Sequence, residues 1–157
     1  MFEPLIKTVP DETVAYIEMR GPNAQIPEGY GQLYGWVAQH GFAPQGMPEA
    51  VYLTAPDQVP EEQARWELWA PVDGVLQDQP ADATGCGVKH TGERTVACAM
   101  HKGPYEQLGE VYEPLTQWLT AQGYTVAGPP EEVYFSDPDQ VPPEQYLTEV
   151  RFPIAPK

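Results

Sequence analysis

Sliding the chain by 82 residues lays Thr13–Val72 on Thr95–Ile154 without a gap, and roughly 25 of the 60 pairs are identical. The densest match sets AVYLTAPDQVPEEQARWELWAPV beside EVYFSDPDQVPPEQYLTEVRFPI. Thr13-Val14-Ala15 falls on Thr95-Val96-Ala97, Gly21-Pro22 on Gly103-Pro104, Tyr30 on Tyr112 and Trp36 on Trp118. Two copies are too few for a solenoid, and one copy alone is too small to bury a good core. The duplication therefore predicts a pseudo-twofold pair of packed units, about 1–74 and 83–157, within one domain spanning 1–157. A linker lies near 73–85, where Asp, Pro, Gly and Ala concentrate.

Each copy reads as strand-strand-helix-strand-strand. Residues 3–8 and 13–20 have the form of a hairpin turning near Pro10-Asp11. Ile26, Tyr30, Leu33 and Val37 then recur at helical spacing, and Gly41 ends the segment. Strands follow at 49–54 and about 64–71, separated by a loop that Pro56 and Pro60 bound and Asp57 turns. The second copy gives strands near 86–91 and 94–101, a helix near 105–122, and strands at 131–135 and 146–153. Leu108, Tyr112, Leu115 and Leu119 form the apolar face of that helix. Pro114 should kink it or mark a restart within it. The fold class is α+β, a tandem repeat with antiparallel sheets and a central groove.

The final strands carry the most informative polar residues. Alternation puts Glu149 with Leu147 and Arg151 on one face, and Glu67 with Arg65 and Trp69 on one face. Glu67 and Glu149 occupy equivalent mid-strand positions, although glutamate is disfavoured in strands. A surface ion pair with Arg65 or Arg151 explains such a residue. So does a carboxylate at the floor of a groove between the units, with aromatic walls. Several aromatics are related by the repeat, among them Tyr52 and Tyr134, and any that line a groove offer flat surfaces to a planar cation.

Charge narrows the partners. Lys and Arg number 8 against 23 Asp and Glu, a formal net charge of −15. That balance argues against nucleic acid and against anionic membrane surfaces, and suits solubility or a basic partner. MFEPLIKTVPDE has no signal-peptide pattern, and no run approaches membrane-spanning length. Cys86 and Cys98 make no disulfide framework, so a cytoplasmic protein with reduced thiols is the expectation. His40, His90 and His101 lack ligand spacing, so neither a metal site nor a cofactor is expected. P-loop and G-x-S-x-G patterns are absent. Cys98 reads as a buried strand cysteine.

The stretch HKGPYEQLGEVYEPLTQWLTAQGY, followed by GPPEEVYFSDPDQVPPEQYLTEVRFPI, resembles the GyrI-like effector-binding domain family over nearly the whole chain. That family includes the ligand-binding halves of multidrug-responsive transcription activators and the gyrase inhibitory protein. The resemblance implies two small α+β units around a groove that takes bulky, often cationic or aromatic, small molecules. It implies Glu149, in YLTEVRFPI, as the groove carboxylate, and Tyr134, in EVYF, as a groove tyrosine. Glu67 is then the partner of Glu149 across the repeat, with Tyr52, Trp69, Tyr112 and Trp118 as further ligand-binding candidates. Some members resemble hydrolases of cyclopropane-bearing toxins, in which Glu149 and Tyr134 would be the catalytic pair. A gyrase-modulating role is a third reading, with gyrase as the partner. The first strand starts near Glu3, so a stand-alone effector-binding module is the expectation, and an internal repeat in place of dimerisation makes a monomer the expectation.

Overall fold

The computed structural model describes residues 3–21, 26–54, 59–73, 77–136 and 140–157. Pro22, the Pro56-Asp57-Gln58 turn with its counterpart Pro138-Asp139, and residues 74–76 of the expected linker lie outside the described residues. In chain order the elements are β1 (Leu5–Val9), β2 (Thr13–Arg20), α1 (Ile26–Gln39), β3 (Ala43–Pro44), β4 (Glu49–Tyr52) and β5 (Arg65–Asp73). They continue with β6 (Cys86–His90), β7 (Arg94–Lys102), α2 (Gly109–Ala121), β8 (Tyr124–Val126), β9 (Glu131–Tyr134) and β10 (Leu147–Pro156). The fold is α+β and its strand pairs are antiparallel.

Two compact units divide the chain: Asp11–Gly92, and Met1–Pro10 together with Glu93–Lys157. Within Asp11–Gly92 the strand order is β4-β5-β2-β6, with β3 added to β5. In the other unit the order is β1-β7-β10-β9, with β8 added to β10. The hairpin expected from residues 3–8 and 13–20 does not form. β1 pairs with β7, and β6 pairs with β2, so each sequence copy gives its first strand to the sheet built by the other. Consecutive strands usually pair, but β1 and β6 are interchangeable in pattern, and both sheets are completed either way.

Helix boundaries follow local chemistry. Gly41 sits at φ 76° just past α1, and the Phe42 N–H closes on the Val37 carbonyl 3.1 Å away, a glycine-terminated helix end. In the second copy a 3₁₀ turn at Tyr105–Gln107 precedes α2, so the interruption falls at Leu108. Pro114 was the expected break, yet α2 runs through it. The short strands β3 and β8 carry too few residues to show an alternation.

Helix α2 packs Leu115 and Leu119 against Ala97, Ala99, Val150 and Phe152, which share one sheet face. In the other unit Gly29 of α1 lies close enough to the sheet that a Cβ there would stand 2.6 Å from Leu68 Cδ1. Alternation then assigns the opposite faces. Val96, Cys98, Glu149 and Arg151 point away from α2, while Tyr16, Glu67 and Trp69 point away from the face that Leu68 gives to α1.

Candidate functional site

Glu67 is the third residue of β5, flanked by β4 and β2, and is 8% exposed. A lone carboxylate there would be costly, and two groups on its own face meet it. Trp69, two residues along the strand, donates its indole N–H to Oε1 over 2.9 Å. Lys89, on β6, places Nζ 2.6 Å from the same oxygen. That ammonium also lies 4.5 Å from the ring centre of Tyr16 and 5.2 Å from that of Trp69. Burial, then the carboxylates of Glu18 and Glu67, push the Tyr16 phenol above its ordinary range.

Glu149 is 7% exposed and is the third residue of β10. Arg151 donates Nε to its Oε1 over 2.5 Å, so the expected ion pair forms, but buried rather than at the surface. Lys7 from β1 adds Nζ within 2.9 Å of Oε1 and 3.0 Å of Oε2. Burial pushes this carboxyl upward, but the hydrogen bonds and charges of Arg151 and Lys7 outweigh it and hold it below the ordinary range. A depressed folded-state value contributes stability that is present above the unfolded value and lost as pH falls through the folded one. Denaturant midpoints should therefore fall as pH drops below about 4–5, with a shallower acid slope in Glu149→Gln. An unchanged slope in that variant would contradict the assignment.

Lys7 and Lys89 stand 82 residues apart, as do Glu67 and Glu149. Both lysines come from the exchanged strands. Their spacing was the available signal, and reading glutamates and aromatics alone missed it.

The remaining expected residues lie elsewhere. Thr148 pairs with Tyr134 and Glu149 with Val133, so Tyr134 and Glu149 point to opposite sheet faces. The structure does not bring these two together. Tyr134 instead donates its hydroxyl to buried Glu132 over 2.7 Å, and Tyr112 of α2 donates to the other oxygen of Glu132. Tyr134 meets Tyr105 edge-on at 5.5 Å, and Tyr105 stacks on Tyr146 at 4.7 Å. Trp118 packs on the α2 core. Tyr52 pairs with Trp66 and so faces the α1 side, opposite Glu67. Of the two predicted strand glutamates, Glu67 is reached by an expected aromatic, Trp69. Cys86 and Cys98 are buried free thiols, and burial pushes the Cys98 thiol up to about 11. No metal-binding cluster occurs among the described residues, and none of their helices is long and apolar enough to cross a membrane.

The family model for the GyrI-like small molecule binding domain matches residues 2–155. Solved structures share the fold. The C-terminal domain of EcmrR superposes with a TM-score of 0.80 at 19% identity, covering 100% of this chain and 99% of that one. A hydrolase from Listeria innocua gives 0.70 at 14% identity over 98% and 92% of the two chains. SAV2435 bound to tetraphenylphosphonium gives 0.59 at 14% identity over 98% and 94%. Among proteins with curated functions, none matches the sequence.

Proposed function

The chain belongs to the GyrI-like small molecule binding family, and on that premise we propose that it binds a bulky hydrophobic cation with aromatic groups, acting as an effector-binding or sequestering protein. The supporting observation is the position of Lys89. Its ammonium lies against the Glu67 carboxylate and over two aromatic rings. An organic cation needs the same surroundings: a largely desolvated carboxylate and electron-rich ring faces. The lysine is a resident stand-in for the ligand. Its side chain is 34% exposed on a flexible stem, so the head can leave for water when a ligand cation arrives. The tetraphenylphosphonium held by SAV2435 is the natural first probe.

Trp69 makes the binding visible. Titration with tetraphenylphosphonium should quench tryptophan fluorescence. Glu67→Gln should weaken binding about tenfold, the loss of one charge-assisted contact of about 1.4 kcal/mol. Lys89→Ala, by removing the competitor, should tighten it. Binding indifferent to Glu67→Gln, or lost in Lys89→Ala, would reject the site. The hydrolase reading asks Glu149 and Tyr134 to act on one substrate, and their opposite strand faces give it no support.

A further inference from the structure

The basic side chains of this acidic protein are not scattered. Lys7, Arg20, Arg65, Lys89, Arg94, Lys102 and Arg151, seven of the 8 basic residues, occupy strand positions facing away from the helices. In the unit formed by Met1–Pro10 and Glu93–Lys157, four cations share that face: Lys7, Arg94, Lys102 and Arg151. Its strands place two carboxylates beside them, Glu131 and Glu149. Four against two leaves a local excess of two positive charges, in a chain whose net charge is −15.

The pairing shows which charges are surplus. Arg94 forms a bidentate pair with Glu131, at 2.9 and 2.7 Å. Arg151 sits 2.5 Å from Glu149 and is almost as buried. These two guanidinium groups already neutralise the two carboxylates. Lys7 adds a second cation to Glu149, and its side chain is 38% exposed. Lys102 is exposed and has no acidic partner among the described residues.

The same face carries exposed apolar side chains, Leu5, Met100 and Leu147, 50%, 43% and 38% exposed, and Phe135, 40% exposed, follows β9 with its N–H on the Leu147 carbonyl at 3.0 Å. Leu147 pairs with Lys102, Met100 with Glu149, and Leu5 with Cys98, so they surround the lysines. At the positions 82 residues earlier Glu18 replaces Met100 and Arg65 replaces Leu147. There, Glu18, Arg20, Leu53, Arg65 and Glu67 line a charged cleft of about 250 Å³. The aromatic contacts around Lys89 also have no counterpart, because Cys98 stands for Tyr16 and Arg151 for Trp69.

We propose that this face, centred on Lys7, Lys102 and the Glu149–Arg151 pair, is a second binding site selective for a hydrophobic organic anion. Leu5, Met100, Phe135 and Leu147 cover the apolar body, and the two mobile ammonium groups take the negative charge. Arg151 keeps Glu149 neutralised when Lys7 turns to the ligand. This face stands independently of the cation site at Glu67.

Tetraphenylborate and tetraphenylphosphonium match in shape and differ in the sign of charge, so they isolate the electrostatic term. Calorimetric titration in sodium buffer of low ionic strength should show tetraphenylborate binding to the wild type. Lys102→Gln and Lys7→Gln together should weaken it about tenfold or more, and Lys102→Gln alone by a few-fold. Phosphonium affinity should be unaltered in both, and Glu67→Gln should leave borate affinity unaltered. Lys102 is exposed, so its variant tests the idea even if the Lys7 variant folds poorly. Absence of borate binding, or borate affinity equal in wild type and Lys102→Gln, would overturn the proposal. Failure of the wild type to bind phosphonium would bear only on the Glu67 site.

Discussion

Glu131→Leu should lower the unfolding free energy by about 3–5 kcal/mol, the range for removing one partner of a buried ion pair. Glu131 is 3% exposed and Arg94 13%. The guanidinium fork meets both carboxylate oxygens, at 2.9 and 2.7 Å. Leucine is somewhat larger than glutamate, so the substitution leaves no cavity. The cost comes from taking both carboxylate oxygens away from a largely desolvated guanidinium on β7. The double variant Arg94→Met/Glu131→Leu separates this account from a packing effect. With both charges gone, most of the loss should be recovered. Urea midpoints of the four proteins form the cycle. A double variant as unstable as the sum of the singles would show that shape, rather than charge, holds β9 to β7 and β10.

Sequence periodicity identified two contacts that lie within a single strand, although the Arg65–Glu67 pair it equally allowed does not form and Glu67 meets Lys89 instead. Glu67 and Trp69 sit two apart on β5, so alternation alone puts them on one face, and the indole reaches the carboxylate. The same rule anticipated Arg151 beside Glu149. It failed wherever two strands had to be brought into register. Tyr134 and Glu149 belong to different strands, and which face they share depends on whether Glu149 pairs with Val133 or with a neighbour of it. A shift of one residue reverses the answer.

The strand exchange was hidden for a related reason. β1 and β6 carry lysines at equivalent positions, and each is joined to the next strand by a short connection. Nothing local distinguishes pairing with β2 from pairing with β7. Backbone contacts record the outcome. The Glu12 N–H donates to Thr91 Oγ1, and the Thr91 N–H to the Glu12 carbonyl, at 3.0 and 2.8 Å. These contacts depend on the 82-residue repeat as a whole, beyond the reach of any local window.

Leu115→Ala should cost about 2–5 kcal/mol, as deletion of a fully buried leucine side chain does when the surroundings close only in part. Leu115 is 0% exposed and lies between α2 and a sheet face of Ala97, Ala99, Val150 and Phe152. Two of those four neighbours are alanines, whose side chains are too short to fill a void. The site should therefore relax little, and the loss should fall in the upper part of that range. Leu115→Met should cost less than about 1.5 kcal/mol, since volume is kept. The two substitutions also separate stability from recognition. Glu149, Lys7 and Lys102 stand on the opposite face of the sheet, so a folded Leu115→Met protein should bind tetraphenylborate as the wild type does. A matched loss of borate affinity in Leu115→Met would mean that α2 packing sets the geometry of that face.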